Sequence, residues 1–275
     1  MTVIFEGKYF AVKKEKELKR SVDKLRIKGI TPKLVSVLVG DNPASVLYVS
    51  LKEKAAQRIG AKIEVQKYDS AVRFSELVHE IKKLNEDKNV HGIMIQLPLP
   101  KSFSKRDRDE IINSIERRKD VDGLRDDSSY LTPTAKAVLE VIKEATPYIT
   151  LKDGPLKVVV IGAKGFEGKK ILTLLKERGY DVVGVDKDTS DLKSKTRKAD
   201  VLVSVTGSPR IIGKDDIKVG SVVIDVGSPK GDVRSKEILG KAAFISPVPG
   251  GVGPVTISCL LENLIEAAEV NHRKG

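Results

Sequence analysis

Tyr48 and Lys52 stand one turn apart in a stretch, 43–59, that reads as a helix, with Ser45 a turn earlier, so the three share a face. An amine beside a phenol can orient, donate to or polarise a carbonyl or imine, and burial would bring the lysine down into acid–base range. The same pair also fits an exposed lysine next to a packed tyrosine. Gln96 ends an apolar strand just ahead of Leu97-Pro98-Leu99-Pro100. Ligands of open α/β sheets bind beyond the carboxyl ends of strands, which makes this a suitable place for a polar side chain. Asp120 and Asp122 flank Val121 before Gly123. Extended backbone sends both carboxylates to one side, although two acids before a glycine equally describe a solvated turn.

A second set of residues suits an anionic ligand. Gly162-Ala163-Lys164-Gly165-Phe166-Glu167-Gly168 follows an apolar strand and opens a helix. Its glycine spacing departs from the dinucleotide fingerprint, and a tight strand-to-helix turn would look the same. Its place is nonetheless where unpaired backbone N–H groups and the helix dipole favour a pyrophosphate. Asp186 ends the next strand, where an acid holds a ribose 2′-hydroxyl and favours NAD. Lys164 and Lys187 could meet a 2′-phosphate instead. A third stretch, 246–256, holds three prolines and three glycines but no charge, and it carries Val248, Val252 and Val255. A flexible linker is usually polar, so this one reads as a shaped, partly buried loop.

The elements that must position these residues alternate. Helices are expected at 13–28, 43–59, 74–84 and 105–118, with strands at 34–39, 62–67 and 92–97 between them. A helix at 132–145 leads to strands at 157–161, 182–185, 201–205, 222–226 and 242–245, and a last helix covers 255–270. Nearly continuous apolar strands separated by amphipathic helices predict parallel βαβ units. The fold class is therefore α/β in two domains: an N-terminal α/β catalytic domain, 1–128 plus 255–275, and a Rossmann-like domain, 129–254.

Composition narrows the function. The 275 residues carry 50 Lys and Arg against 38 Asp and Glu, a net charge of +12. Such a surplus suits nucleic acid, an anionic membrane or small polyanions. Six Phe, six Tyr and no Trp leave little for stacking successive bases, which argues against nucleic acid. The single cysteine, Cys259, excludes an internal disulfide and fits a reducing cytoplasm. His79, His91 and His272 have no second ligand at metal spacing, so no metal is expected. Neither a signal peptide nor a membrane-length apolar run is visible, and a soluble protein is expected.

Taken together, the segments Val39-Gly40-Asp41-Asn42-Pro43-Ala44-Ser45 through Tyr48 and Lys52, Gly92 to Pro100, Lys119-Asp120-Val121-Asp122-Gly123, Thr206-Gly207, Val223 to Gly227 and Pro247 to Thr256 resemble one family. It is the bifunctional methylenetetrahydrofolate dehydrogenase/methenyltetrahydrofolate cyclohydrolase family. The resemblance implies oxidation of 5,10-methylenetetrahydrofolate with NADP, or with NAD, followed by hydrolysis of the methenyl product to 10-formyltetrahydrofolate. By the same resemblance Lys52 is the main catalytic group, Gln96 tunes it, Tyr48 stacks on the aminobenzoyl part and Asp122 holds the pterin edge. Leu97, Pro98, Pro249, Gly250 and Gly251 would line the substrate. Gly162, Ala163, Lys164, Gly165, Gly168, Asp186, Lys187, Thr206, Gly207 and Thr256 would hold the cofactor, and a homodimer is implied. Three segments depart from the family pattern: Tyr130 to Ala135, Ala163-Lys164 and Ser228-Pro229. Lys164 and Lys187 together against Asp186 tip the expected cofactor to NADP. Two alternatives stand beside this reading, a short-chain-type carbonyl reductase and a non-catalytic basic binding protein.

Overall fold

The computed structural model describes residues 1–149 and 155–273, which divide into two compact units. One unit comprises Val12–Pro133 and Ile257–Gly275. The other comprises Met1–Ala11 and Thr134–Thr256.

The first of these is built on three parallel strands, β2 (Lys33–Val39), β3 (Lys62–Tyr68) and β4 (Gly92–Ile95), in the order β3-β2-β4. Residues alternate across the sheet, as strand geometry requires. Val35, Val37, Ile93 and Ile95 pack with Leu77 and Ile81 of α3 (Phe74–Glu86) and Ile111 of α4 (Lys105–Asn113). On the opposite face Leu34 and Met94 pack with Ala55, Ala56 and Ile59 of α2 (Pro43–Ile59) and with Leu260, Leu261 and Leu264 of α9 (Val252–Arg273). The ends of α2 are fixed locally. Asn42 Oδ1 accepts the N–H groups of Ala44 and Ser45 at 3.0 and 3.1 Å, and Pro43 occupies the first turn, where no N–H is needed. Gly60 closes the other end, its N–H directed to the carbonyls of Ala56 and Gln57.

The second unit is a six-stranded parallel sheet in the order β1-β9-β8-β7-β5-β6. Its strands are β1 (Val3–Ile4), β5 (Lys157–Ile161), β6 (Asp181–Val185), β7 (Val201–Ser204), β8 (Val222–Asp225) and β9 (Phe244–Ser246). The chain runs from β5 to β6 on one side, then returns to β7 on the other, so the strand order reverses between β5 and β7. That is the doubly wound dinucleotide-binding topology.

Several boundaries differ from the sequence-based expectations. The opening helix α1 spans Gly7–Ile27, beginning well before residue 13. The residues ahead of it pair with β9, Val3 opposite Phe244 and Ile4 opposite Ile245, and so lie with the six-stranded unit instead of the expected 1–128 domain. A two-residue strand has no periodicity to read. The helix expected over 105–118 stops at Asn113, where the Ser114 hydroxyl donates to the carbonyl of Ile111 at 2.6 Å and competes with the helical ladder. The last helix starts at Val252, inside the proline- and glycine-rich stretch.

Candidate functional site

In the three-stranded unit, α2 presents Lys52 to the end of β4. The Nζ atom lies 3.1 Å from Oε1 of Gln96 and 3.1 Å from Sδ of Met94, a residue only 1% exposed. Gln96 is itself held: its N–H continues the ladder to the carbonyl of Val37 at 2.8 Å, and its Nε2 donates to the carbonyl of Leu97 at 2.8 Å. That second bond leaves the amide oxygen facing the amine. Burial holds the Lys52 amine below its ordinary value of 10.5, against the charge of Asp122, which favours the ammonium. Burial pushes the Asp122 carboxyl up; Lys52 acts to lower it, and Asp120 adds to the rise. Each member of the pair is thus driven toward its uncharged form by desolvation. Tyr48 and Lys52 are both half-buried, while Ser45 is buried with its Oγ unpartnered.

The acids are delivered by a pinned segment. Ile93 N–H donates to the carbonyl of Lys119 at 2.7 Å, laying residues 119–121 alongside β4. Asn263 of α9 donates to the carbonyls of Val121 and Leu131 at 2.8 and 2.9 Å. Asp120 is not a solvated turn residue. It is fully buried and accepts the N–H groups of Leu124 and Arg125 at 3.2 and 2.9 Å, which folds the chain back behind Asp122. Lys119 is 6% exposed, and its amine donates to the carbonyls of Leu84, Asn85 and Asp87 at 2.9, 2.8 and 2.7 Å. These carbonyls end α3, where a cation also meets the negative end of the helix dipole.

In the six-stranded unit the glycine turn is packed closely against its own backbone. Gly162 adopts φ +87°, and a Cβ there would lie 2.6 Å from the carbonyl oxygen of Val205; one on Gly168 would lie 2.0 Å from that of Gly162. Gly165 caps α6 (Phe166–Glu177) without a side-chain bond, so no side chain of the cap fills the donors at its N-terminus. Asp186 ends β6 as expected, with its Oδ2 accepting the N–H of Lys164 at 3.0 Å. The Lys164 ammonium pairs with Asp188, which raises its pKa and offsets its charge. Of the two lysines weighed for a 2′-phosphate, Lys164 is therefore engaged with Asp188, while Lys187 is exposed. Thr206 and Gly207 leave β7 directly beside Gly162.

The 246–256 loop is shaped, as its composition suggested, and Gly251 is closely packed within it. A Cβ on Gly251 would lie 2.3 Å from Ser246 Oγ and 2.5 Å from the carbonyl oxygen of Pro247, and one on Gly7 would lie 1.9 Å from that of Gly251. Pro249 is exposed, Gly250 half-buried, and Thr256 turns its hydroxyl back to the carbonyl of Val252 at 3.2 Å inside α9. The structure thus gathers Tyr48, Lys52, Gln96, Leu97, Pro98 and Asp122 in one unit. Residues 162–168, Asp186, Lys187, Thr206, Gly207, Pro249, Gly250, Gly251 and Thr256 belong to the other.

Residues 5–122 match the model of the tetrahydrofolate dehydrogenase/cyclohydrolase catalytic domain, and residues 132–272 match that of its NAD(P)-binding domain. The chain belongs to this family. It is 39% identical to the bifunctional protein FolD of Exiguobacterium sibiricum, covering 98% of this chain and 100% of the relative. Among solved structures, the bifunctional FolD methylenetetrahydrofolate dehydrogenase/cyclohydrolase of Campylobacter jejuni superposes with a TM-score of 0.89 at 37% identity, covering 98% and 99% of the two chains. The Trypanosoma brucei methylenetetrahydrofolate dehydrogenase-cyclohydrolase, solved with NADP and an inhibitor, gives 0.89 at 33% identity, covering 99% of each. Membership makes this a bifunctional enzyme of one-carbon folate chemistry, an oxidoreductase and a hydrolase, with an NAD(P)-binding domain. Neither the short-chain carbonyl reductase nor the basic binding protein gains support.

Met94 and Lys119 lie within segments that carry the resemblance, but nothing local in the sequence shows what their side chains meet. Met94 reads as one more apolar residue of a core strand, and only its neighbour two positions on, Gln96, marks the strand end as polar. Lys119 reads as a surface charge, and its burial follows from the three carbonyls it meets.

Proposed function

We propose that Lys52 is the acid–base group of the folate reactions and that Gln96 positions it. The observation that supports this most directly is the half-buried amine held against Gln96 Oε1 at 3.1 Å with its pKa lowered by burial. In the cyclohydrolase step water attacks the methenyl carbon, and an uncharged Lys52 takes the proton that water loses. The resulting ammonium returns that proton to the nitrogen that departs as the ring opens, and the hydroxyl left on the carbon loses its own proton to solvent as it becomes the carbonyl of the 10-formyl product. A permanent ammonium would repel the methenyl cation, so a depressed pKa serves binding as well as proton transfer. Tyr48 stacks on the aminobenzoyl portion and Asp122 hydrogen-bonds the pterin edge, with Leu97 and Pro98 beside them.

In the dehydrogenase step the methylene carbon gives up a hydride and becomes the methenyl carbon. The dinucleotide, when bound, supplies the acceptor, and we assign it as NADP. Gly162, Ala163, Lys164, Gly165 and Gly168 would hold its pyrophosphate at the N-terminus of α6, whose cap supplies no side-chain acceptor. Lys187 meets a 2′-phosphate, Asp186 the ribose, and Thr206, Gly207 and Thr256 the remainder. The protein acts as a homodimer in the cytoplasm and needs neither nucleic acid nor a membrane. No helix among the described residues is long and apolar enough to cross one, and Cys259, the single cysteine, is buried.

Lys52→Met tests the assignment. Hydrolysis of methenyltetrahydrofolate, followed by the loss of its absorbance, should fall by about 100-fold or more with Tm preserved. Near wild-type hydrolysis by the variant would remove Lys52 from the mechanism.

A further inference from the structure

A buried polar cluster that the chemistry above leaves unused lies where β7 and β8 end. Asp232 is fully buried, and its Oδ2 accepts three bonds: from Ser204 Oγ at 2.8 Å, Thr206 N–H at 2.7 Å and Thr206 Oγ1 at 2.8 Å. Its own N–H and that of Gly227 donate to Asp225 Oδ1 at 3.0 and 2.9 Å, and the N–H of Val233 donates to Asp225 Oδ2 at 3.0 Å. Asp225 therefore shapes the loop that follows β8, and that loop delivers Asp232 to the segment leaving β7. Two glycines make room for the carboxylates. A Cβ on Gly227 would lie 2.7 Å from Asp232 Oδ1, and one on Gly231 would lie 2.4 Å from Asp225 Oδ2.

Two buried carboxylates side by side are an unfavourable way to close a turn, and a turn alone has no need of them. Burial pushes the Asp225 carboxyl up, backbone N–H groups resist, and Asp232 adds to the rise. The Oδ1 of Asp232 has no hydrogen-bond partner at all. What the arrangement secures is Thr206. Its N–H and hydroxyl are both committed to Asp232, and the same hydroxyl accepts the N–H of Ser208 at 3.0 Å, so the turn through Gly207 is held at each side. Thr206 is also the neighbour of the glycine turn, since a Cβ on Gly162 would lie 3.1 Å from its Cα. The two segments flank the point between β5 and β7 where strand order reverses, which is where doubly wound sheets take dinucleotides.

We propose that Asp232 is a positioning residue of the dinucleotide site, acting through Thr206 to hold the wall that faces the glycine turn. This rests on the NAD(P)-binding assignment of the six-stranded unit. The bifunctional enzyme provides its own control, because hydrolysis of methenyltetrahydrofolate consumes no dinucleotide. Asp232→Asn keeps the volume but offers one neutral oxygen to three donors. The KM for NADP⁺ and the Kd for NADPH, read from the fluorescence of the bound reduced cofactor, should rise about tenfold, with kcat and cyclohydrolase turnover within about threefold of wild type. Thr206→Val should raise the same KM, Thr206→Ser should restore it, and adding Thr206→Val to Asp232→Asn should have little further effect.

An unchanged KM in Asp232→Asn overturns the proposal. So does a parallel loss of both activities with a lowered Tm, which is the mark of a purely structural acid. Should Asp232→Asn not fold, the Thr206 pair decides: a rise in Val absent in Ser supports the proposal, and equal values in both overturn it. Failure of the wild-type enzyme to bind NADPH would instead refute the cofactor assignment itself.

Discussion

Labelling with methyl-carbon-13 methionine gives this chain two signals, from Met1 and Met94, because the sequence contains two methionines. Met94 Sδ lies 3.1 Å from the Lys52 amine, so its methyl resonance should move as that amine gains or loses its proton. In the wild-type enzyme the midpoint should fall below the ordinary 10.5, the direction set by burial. Asp122→Asn removes the negative charge that favours the ammonium, and the midpoint should therefore fall further. A pair of unit charges about 4 Å apart at an effective dielectric of about 20 is worth about 4 kcal/mol. Asp122 acts by charge without a direct bond to the amine and is itself driven toward protonation, so the fall should be smaller than a fully charged pair would give. The acid limb of cyclohydrolase activity should move with it, since the uncharged amine is the working form and activity rises with pH through its pKa. Lys52→Leu, which adds no methionine, should abolish the spectral step and leave the Met94 signal in place. A methyl signal that does not titrate in wild type, or a midpoint that rises in Asp122→Asn, would refute the reasoning.

Other outcomes follow from the same geometry. Asp186→Ser should raise the ratio of kcat/KM for NADP⁺ over NAD⁺ by about tenfold, because an anion near the 2′ position is removed; an unchanged ratio would show that Asp186 serves only the Lys164 N–H. Lys119→Met should lower stability by about 2–4 kcal/mol in urea unfolding, since three carbonyls at the end of α3 lose their donor, and a change under about 0.5 kcal/mol would mean that water replaces it. Gly251→Val should lower Tm, as its Cβ would strike Ser246 Oγ and the Pro247 carbonyl; an unchanged Tm would show that the loop relaxes around the added side chain.

How much of this could be read from the chain depended on where the controlling interaction lay. The ends of α2 are written locally in Asn42-Pro43 and Gly60, so the helix that carries Tyr48 and Lys52 was legible to the residue. The turn at 162–168 was equally legible, because a glycine followed by a helix start has few other uses. Asp120 was not: its burial depends on the N–H groups of Leu124 and Arg125 and on the pairing of its segment with β4. Met94 and Asp232 escaped for a related reason. Each acts on a partner far away in sequence, Lys52 and Thr206 respectively, and neither sits in a local pattern that distinguishes it from a core methionine or a loop acid. The balance of lysines over Asp186 was misleading in part, since charge counting cannot show that Lys164 is matched to Asp188.

The pairing of Val3 with Phe244 has a consequence for biosynthesis. In a nascent chain β1 is made long before β9, and it finds its neighbour only once β9 has followed. The three-stranded unit waits longer still, because Leu260, Leu261 and Leu264 complete the face formed by Leu34 and Met94. Each unit thus closes on contacts between segments distant in sequence, the kind that form slowly because loop closure precedes any gain from packing. Until α9 is released, one apolar face of the three-stranded sheet is without part of its cover, and in that interval the large positive charge would help keep incomplete chains apart.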